Sequence, residues 1–276
     1  MNLILQGPAL SPEQAEEAAA IVQCSSMKPI AAHAYRYSKA SRHQELPAWC
    51  EARRIDHAWM PEGRRFADLK LLAMDMDSTL ITIECIDELG DLAGKKPEIA
   101  GITAQAMRGE IGYPESLRLR VSLLKGLKES ALHRVYEERL RLTPGADALI
   151  AACKRSGVKL LLVSGGFTFF TERLKQRLGI DYTISNVLET RDGKLTGGLL
   201  GGIVDADAKA NMFSETVRSL KAAKEETVAI GDGANDLKMM ARAGLSVAFR
   251  AKPVVAAQAG CELRWSGLDG VVNLFE

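Results

Sequence analysis

Residues Leu71–Thr79 read LLAMDMDST. Apolar positions of the kind a buried parallel strand uses are followed by two carboxylates two positions apart, Asp75 and Asp77, and then by two hydroxyls, Ser78 and Thr79. In open parallel sheets ligands bind just beyond the carboxyl ends of the strands, so acids there sit at the mouth of a site, where desolvation and metal ions tune them. A surface turn with scattered acids explains an isolated DxD about as well. The rest of the chain decides between the two.

Downstream, the chain alternates helices with short apolar strands, which implies a parallel sheet covered on both faces. From the Thr143–Gly145 boundary the pattern predicts helix over Ala146–Ser156, strand over Leu160–Val163, helix over Phe167–Leu178 and strand over Tyr182–Asn186. A hairpin over Leu188–Gly198 turns at Asp192-Gly193. Helix Asp207–Lys221, strand Thr227–Ile230, helix Asp236–Ala243, strand Ser246–Phe249 and helix Pro253–Ala259 follow. Two further strand ends carry polar groups. Val163 is followed by Ser164, Gly165 and Gly166, where a hydroxyl and exposed amides suit an anion such as phosphate. A plain glycine turn into a helix would look the same. Ile230 is followed by Gly231, Asp232, Gly233, Ala234, Asn235 and Asp236, which puts acids at a second strand end. Acids from two strand ends can converge on a divalent cation. Lys209, near the start of its own helix, is uninformative alone.

Between the two halves of this pattern, Glu84 to Arg141 reads as almost continuous helix, with Asp87–Leu92, Glu98–Arg108, Glu115–Leu124 and Glu129–Leu142 broken by Gly94, Gly109, Pro114 and Gly126. This is a compact helical insertion. Residues 1–68 read as a small α/β unit: strand Leu3–Leu5, a helix to Val22 started by Ser11, Pro12 and Gln14, strand Pro29–Tyr37, helix Leu46–Arg54 and strand His57–Met60. The arginines 53, 54, 64 and 65 are most simply a solvated face, and His33, His43 and His57 lack partners at metal-ligand spacing.

The bulk properties narrow the class. At 276 residues the chain can bury a substantial core, and 47% apolar with 26% charged residues is ordinary for a globular protein. A net charge of +1 and few aromatics give no footing for nucleic acid or an anionic membrane. Five cysteines, Cys24, Cys50, Cys85, Cys153 and Cys261, lack CxxC spacing and fit reduced thiols in a cytoplasmic protein. The opening MNLILQGPALSPEQ has no basic start and too short an apolar run for a signal peptide, and no segment offers the ~18 to 20 apolar residues of a membrane span.

Taken together, DMDST, Ser164 with its two glycines, Lys209 and GDGAND stand in the order and context of the haloacid dehalogenase superfamily of phosphohydrolases, which this chain resembles over about residues 70–265. IECIDELG, AMRGEIGYPESLRLRVSLLKGL, VSGGFTFF and GDGANDLKM resemble more narrowly the phosphoserine phosphatase family. The resemblance implies an α/β fold with a doubly wound parallel-sheet, Rossmann-like core (69–83 and 143–276) and a helical cap over 84–142 that sets specificity. The amino-terminal α/β domain, 1–68, is expected to be ACT-like, by analogy with ligand-sensing domains in bacterial relatives.

By the same resemblance Asp75 is the nucleophile that forms an aspartyl-phosphate, and Asp77 the general acid and then base. Mg2+ is expected on the carboxylates of Asp75 and Asp232 and the main-chain carbonyl of Asp77, with Ser164 and Lys209 on phosphoryl oxygens and Asp236 orienting Lys209. In the cap, Glu84 matches the residue that meets the substrate ammonium, and Arg120 the one that grips its carboxylate. Met107 and Tyr113 shield the site, and Gly165 and Asn235 complete the substrate contacts. Family members commonly have Phe where Tyr113 stands. The implied reaction is Mg-dependent hydrolysis of O-phospho-L-serine. Competing readings are a phosphatase or phosphotransferase for another small phosphomonoester, such as phosphohomoserine or phosphothreonine, and a non-catalytic amino-acid sensor, which would have no need of a proton donor. A homodimer is admitted as the assembly, with no nucleic acid or membrane partner.

Overall fold

The computed structural model describes all 276 residues and contains two sheets. The first is built from β1 (Asn2–Gln6), α1 (Pro12–Val22), β2 (Ser26–Ala31), β3 (Ala34–Ser38), α2 (Leu46–Ala52) and β4 (Asp56–Met60). Its antiparallel order, β2-β3-β1-β4, with a helix after the first and third strands, is the ferredoxin-like arrangement. Ser11 starts α1 with a reciprocal capping box: its hydroxyl accepts from the Gln14 amide at 3.3 Å, and Gln14 Oε1 accepts from the Ser11 amide at 3.1 Å. Alternation splits the strands between two environments. Leu3, Leu5 and Tyr37 pack under the helices with Ala15, Val22, Leu46 and Cys50, while Ile4, Ala58 and Met60 face the other way and join the main core.

Pro29–Tyr37, expected as one strand, is a hairpin of β2 and β3 that turns at Ala32 and His33. No Gly, Pro, Asn or Asp marks that turn, so propensity could not find it. Arg64, expected on a solvated face, instead donates to the carbonyl of Glu225 at 2.7 Å and ties the first unit to the second.

The second sheet has the order β11-β10-β9-β5-β6-β7-β8. Its elements are β5 (Leu71–Met74), α3 (Cys85–Leu92), α4 (Lys96–Met107), α5 (Tyr113–Ser122), α6 (Ser130–Arg134), α7 (Ala146–Arg155), β6 (Lys159–Phe167), α8 (Thr168–Leu178), β7 (Tyr182–Arg191), β8 (Lys194–Leu200), α9 (Ala206–Ser219), β9 (Thr227–Gly231), α10 (Leu237–Met240), β10 (Leu245–Phe249), α11 (Pro253–Ala256) and β11 (Cys261–Leu263). All neighbours are parallel except β7 and β8. Every residue of β5 is buried, because the strand lies mid-sheet with both faces covered. Leu72, Leu162 and Ile230 serve the larger core, and Leu71, Ala73, Leu161 and Ala229 pack on the other face with Phe213 of α9 and Met239 of α10. β5 is flanked by β6 on one side and β9 on the other, so the chain reverses its winding there. Such a switch point opens a crevice at the strand ends.

The helical insertion over α3 to α6 lies above these ends. Glu129–Leu142, expected as one helix, is helical from Ser130 to Arg139, with its last turn, Val135–Arg139, wider than the first. Tyr182–Asn186 and the first arm of the expected hairpin form one continuous strand, β7. The hairpin does turn at Asp192 and Gly193, both at positive φ (51° and 71°), as a two-residue loop requires. The expected helix Asp236–Ala243 begins as a 3-10 turn over Ala234–Asp236 before α10, and β11 was too short to carry a pattern. All five cysteines are free thiols. No helix is long and apolar enough to cross a membrane.

Candidate active site

Just past β5 the chain stops being a strand. Residues Met76–Leu80 wind into one wide turn, closed by bonds from the Leu80 amide to the Asp75 carbonyl and from the Ile81 amide to the Met76 carbonyl. Ser78 takes a left-handed φ of 56° inside it. The turn sends Asp75 and Asp77 to different partners. Asp75 Oδ1 accepts from the Met76 amide and from Lys209 Nζ, each at 2.8 Å. Asp77 Oδ1 accepts from the Cys85 amide at 2.8 Å and Oδ2 from Ser164 Oγ at 3.3 Å. Both carboxyls are buried.

The neighbouring strand ends complete the floor. Lys209, wholly buried on α9, also donates to Asp236 Oδ1 at 2.8 Å, and Asp236 Oδ2 accepts from the Gly233 amide at 3.1 Å. Thr79 Oγ1 donates to Asp232 Oδ1 at 3.4 Å. On the β6 side, the Gly166 amide donates to Ser164 Oγ at 2.8 Å. Ser164–Gly166, expected as a turn into a helix, is the bulged end of β6, and a Cβ on Gly166 would meet Asp77 Oδ2 at 2.7 Å and Ser164 Oγ at 3.0 Å, so only glycine lets it approach the acid.

The charges here do not balance. Carboxylate oxygens of Asp75, Asp232 and Asp236 lie within 4.8 Å of one another, and Lys209 is the ammonium bonded among them. Burial, then Asp236, pushes the Asp75 carboxyl well up despite Lys209, and burial raises Asp77 against the bonds it accepts. Asp232 is lifted to about 6 by burial and by Asp236. Burial opposes the charge on Lys209, but Asp236 and Asp75 outweigh it and hold the ammonium protonated. Hard oxygen donors carrying surplus negative charge fit a divalent cation. The Asp77 carboxyl points away from this cluster, towards Ser164 and Cys85.

Above the floor is a cavity of about 1140 Å³ between core and insertion, lined by Asp75, Asp77 and Asp232 below and by Glu84, Met107, Tyr113 and Arg120 from the insertion. Gly165 and Asn235 join its wall, whereas Ser164, Lys209 and Asp236 sit behind it. Glu84 touches solvent through the cavity while protein crowds its other sides. That burial and the charge of Asp77 raise it to about 7, opposed by a bond from Ser78 Oγ at 2.7 Å. Arg120, which lines the cavity, donates from Nε to the Ser116 carbonyl at 3.3 Å on its own helix. Met107, expected as a shield, is 67% exposed and stands at the lip. Tyr113 Oη donates to the Gly165 carbonyl at 3.2 Å.

Three contributors escaped the sequence reading. Ser78 fixes Glu84, Thr79 reaches Asp232, and Asn186, fully buried on β7, donates to the Gly165 carbonyl at 2.8 Å. No pattern in Tyr182–Ser185 singles out Asn186, whose partners lie on other elements.

Known proteins are similar to this chain over most of its length. A family profile described as haloacid dehalogenase-like hydrolase matches residues 72–241. A phosphoserine phosphatase of Polaromonas sp. is 55% identical over 215 residues, covering 76% of this chain and 91% of the relative. The unliganded crystal structure of a probable phosphoserine phosphatase from Vibrio cholerae superposes with a TM-score of 0.87 at 40% identity, over 99% of this chain and 86% of the other. A phosphoserine phosphatase structure solved as a phospho-aspartyl intermediate analogue superposes with a TM-score of 0.71 at 38% identity, over 75% of this chain and 99% of the other. The chain belongs to the haloacid dehalogenase-like hydrolases and, within them, to the phosphoserine phosphatase family.

Proposed function

We propose that this protein hydrolyses O-phospho-L-serine to L-serine and inorganic phosphate. The observation that carries the reading is one cavity with an acid pair, Asp75 and Asp77, on its floor and an opposed Glu84 and Arg120 in its roof. A carboxyl and a guanidinium match the ammonium and carboxylate of an amino acid, and an arriving ammonium would draw Glu84 to its charged form, while the floor handles the phosphate.

An Asp75 carboxylate oxygen attacks phosphorus, forming an O–P bond as the bond from phosphorus to the serine oxygen breaks. Asp77, kept protonated by burial, gives its proton to the departing oxygen. Serine leaves. A water then attacks the acyl phosphate, Asp77 takes the water's proton, and Asp75 is released as carboxylate with phosphate. Lys209 and Ser164 stabilise charge on the transferring group, and positioning of this kind supplies most of the catalysis in phosphoryl transfer. Mg2+ fits the carboxylates of Asp75 and Asp232 and the main-chain carbonyl of Asp77, where it would screen the approach of an anion to a carboxylate. Asp236 has both oxygens engaged and serves to hold Lys209.

Residues 84–142 act as a specificity cap, and residues 1–68 form an ACT-like unit whose ferredoxin-like order supports that reading. Phosphate release from a panel of phosphomonoesters, with Mg2+ or with chelator, tests the assignment. Phosphoserine should be turned over far faster than sugar phosphates and only with the metal; equal turnover would overturn the reading. Arg120→Ala should raise KM for phosphoserine about tenfold or more beyond its effect on phosphoethanolamine, which lacks the carboxylate. If both rise alike, Arg120 is structural.

A further inference from the structure

Tyr113 is the first residue of α5, at the edge of the cavity, with Pro114 directly after it. The proline ring restricts the backbone of the residue before it, which limits where the Tyr113 ring can go. Burial lifts the phenol to about 12, so the hydroxyl remains a donor at any working pH. The acceptor at 3.2 Å, the Gly165 carbonyl, lies between Ser164 and Gly166, whose groups bond Asp77 and each other. Gly165 and Tyr113 are matched in shape. A Cβ on Gly165 would collide with the Tyr113 hydroxyl and lie 3.2 Å from the ring carbon that bears it.

The same carbonyl takes its second bond from Asn186, whose Oδ1 accepts from the Val204 amide at 2.8 Å, just ahead of the helix that delivers Lys209. One carbonyl therefore joins α5, the bulged end of β6, β7 and the approach to α9. A phenylalanine would fill the wall equally well but would leave this junction without its cap-side bond.

We propose that the Tyr113 hydroxyl is a latch, a positioning group that seats the cap on the bulged end of β6, Ser164–Gly166, before substrate arrives. It rests on the cavity being the substrate site, whichever phosphomonoester fills it. The latch holds the cap and the bulged end of β6 in register, so that the groups reading the amino acid and those reading the phosphate are set at a fixed separation.

Hydrogen exchange on the substrate-free protein tests it directly. Tyr113→Phe should speed exchange of the α5 amides and of residues 165–167 about three- to tenfold, the range expected for one lost hydrogen bond, with the sheet amides unchanged. KM for phosphoserine should rise several-fold and kcat should move less. A second arm uses Gly165→Ala, alone and with Tyr113→Phe. The alanine should raise KM strongly, or prevent folding, beside Tyr113 and do markedly less beside phenylalanine. Unchanged exchange in Tyr113→Phe, or a Gly165→Ala defect of equal size in both backgrounds, would overturn the latch. Failure of the phosphoserine reading would show instead in the substrate panel, leaving the exchange result as it stands.

Discussion

Two buried aspartates, each near a strand end, meet opposite fates. Asp56, at the start of β4, is enclosed between the first sheet and the turn after β11, where it accepts from the amides of Arg264, Trp265 and Ser266, at 2.8 Å for the first and last. Every lone pair that burial removes from water is returned as a hydrogen bond. Asp75, at the end of β5, has other carboxylates beside it and shares its lysine with Asp236. The first arrangement joins two units of the molecule. The second leaves an excess of negative charge that a cation can neutralise, which is why strongly perturbed acids mark chemistry rather than architecture.

The largest effect should come from Asp75→Asn. Turnover of phosphoserine should fall by more than about a thousandfold, since the proposed nucleophile is lost. The chelated protein should meanwhile gain in Tm, because one of several crowded negative charges has gone. Unchanged activity would remove Asp75 from the chemistry. Asp56→Ala should behave in the reverse sense, losing about 3 kcal/mol in urea unfolding as three buried amides lose their acceptor, with kcat nearly unchanged. If it instead abolished turnover without loss of stability, the contrast between the two acids would fail.

The smallest effect is a slope. Glu84 rises from an ordinary 4.5 to about 7, and Asp232 from 3.8 to about 6. Acids raised in this way bind more protons folded than unfolded, so stability falls as pH climbs from each ordinary value to the raised one and is level beyond it. In chelator, Tm should therefore decline between roughly pH 4 and 7. Mg2+ should flatten the Asp232 part, and Glu84→Gln should remove the upper part. A Tm that rises through that window would contradict the crowding described here.

What could be read from the chain and what could not divide along the same line. The strand ends at Asp75, Ser164 and Asp232 were legible because a doubly wound sheet forces its loops to one edge, so order along the sequence becomes proximity in space. Glu84 and Arg120 needed the family register, because an acid and a base on amphipathic helices otherwise look solvated. The bond from Tyr113 to Gly165, the place of Asn186 and the role of Asp56 were not legible. Each joins groups more than 20 residues apart whose meeting depends on how elements pack. The β2–β3 turn was lost for a local reason: its residues carry no turn chemistry.

The two appendages of the seven-stranded sheet have one more consequence. Near β8 the cap segment lays itself alongside the hairpin, with the Gly126 amide on the Leu195 carbonyl and the Leu195 amide on the Leu127 carbonyl. At the opposite margin Asp56 occupies the amides just past β11. Exposed sheet margins are templates for edge-to-edge aggregation. A truncation made to isolate the core would uncover both, so removing either residues 84–142 or the amino-terminal unit should promote aggregation.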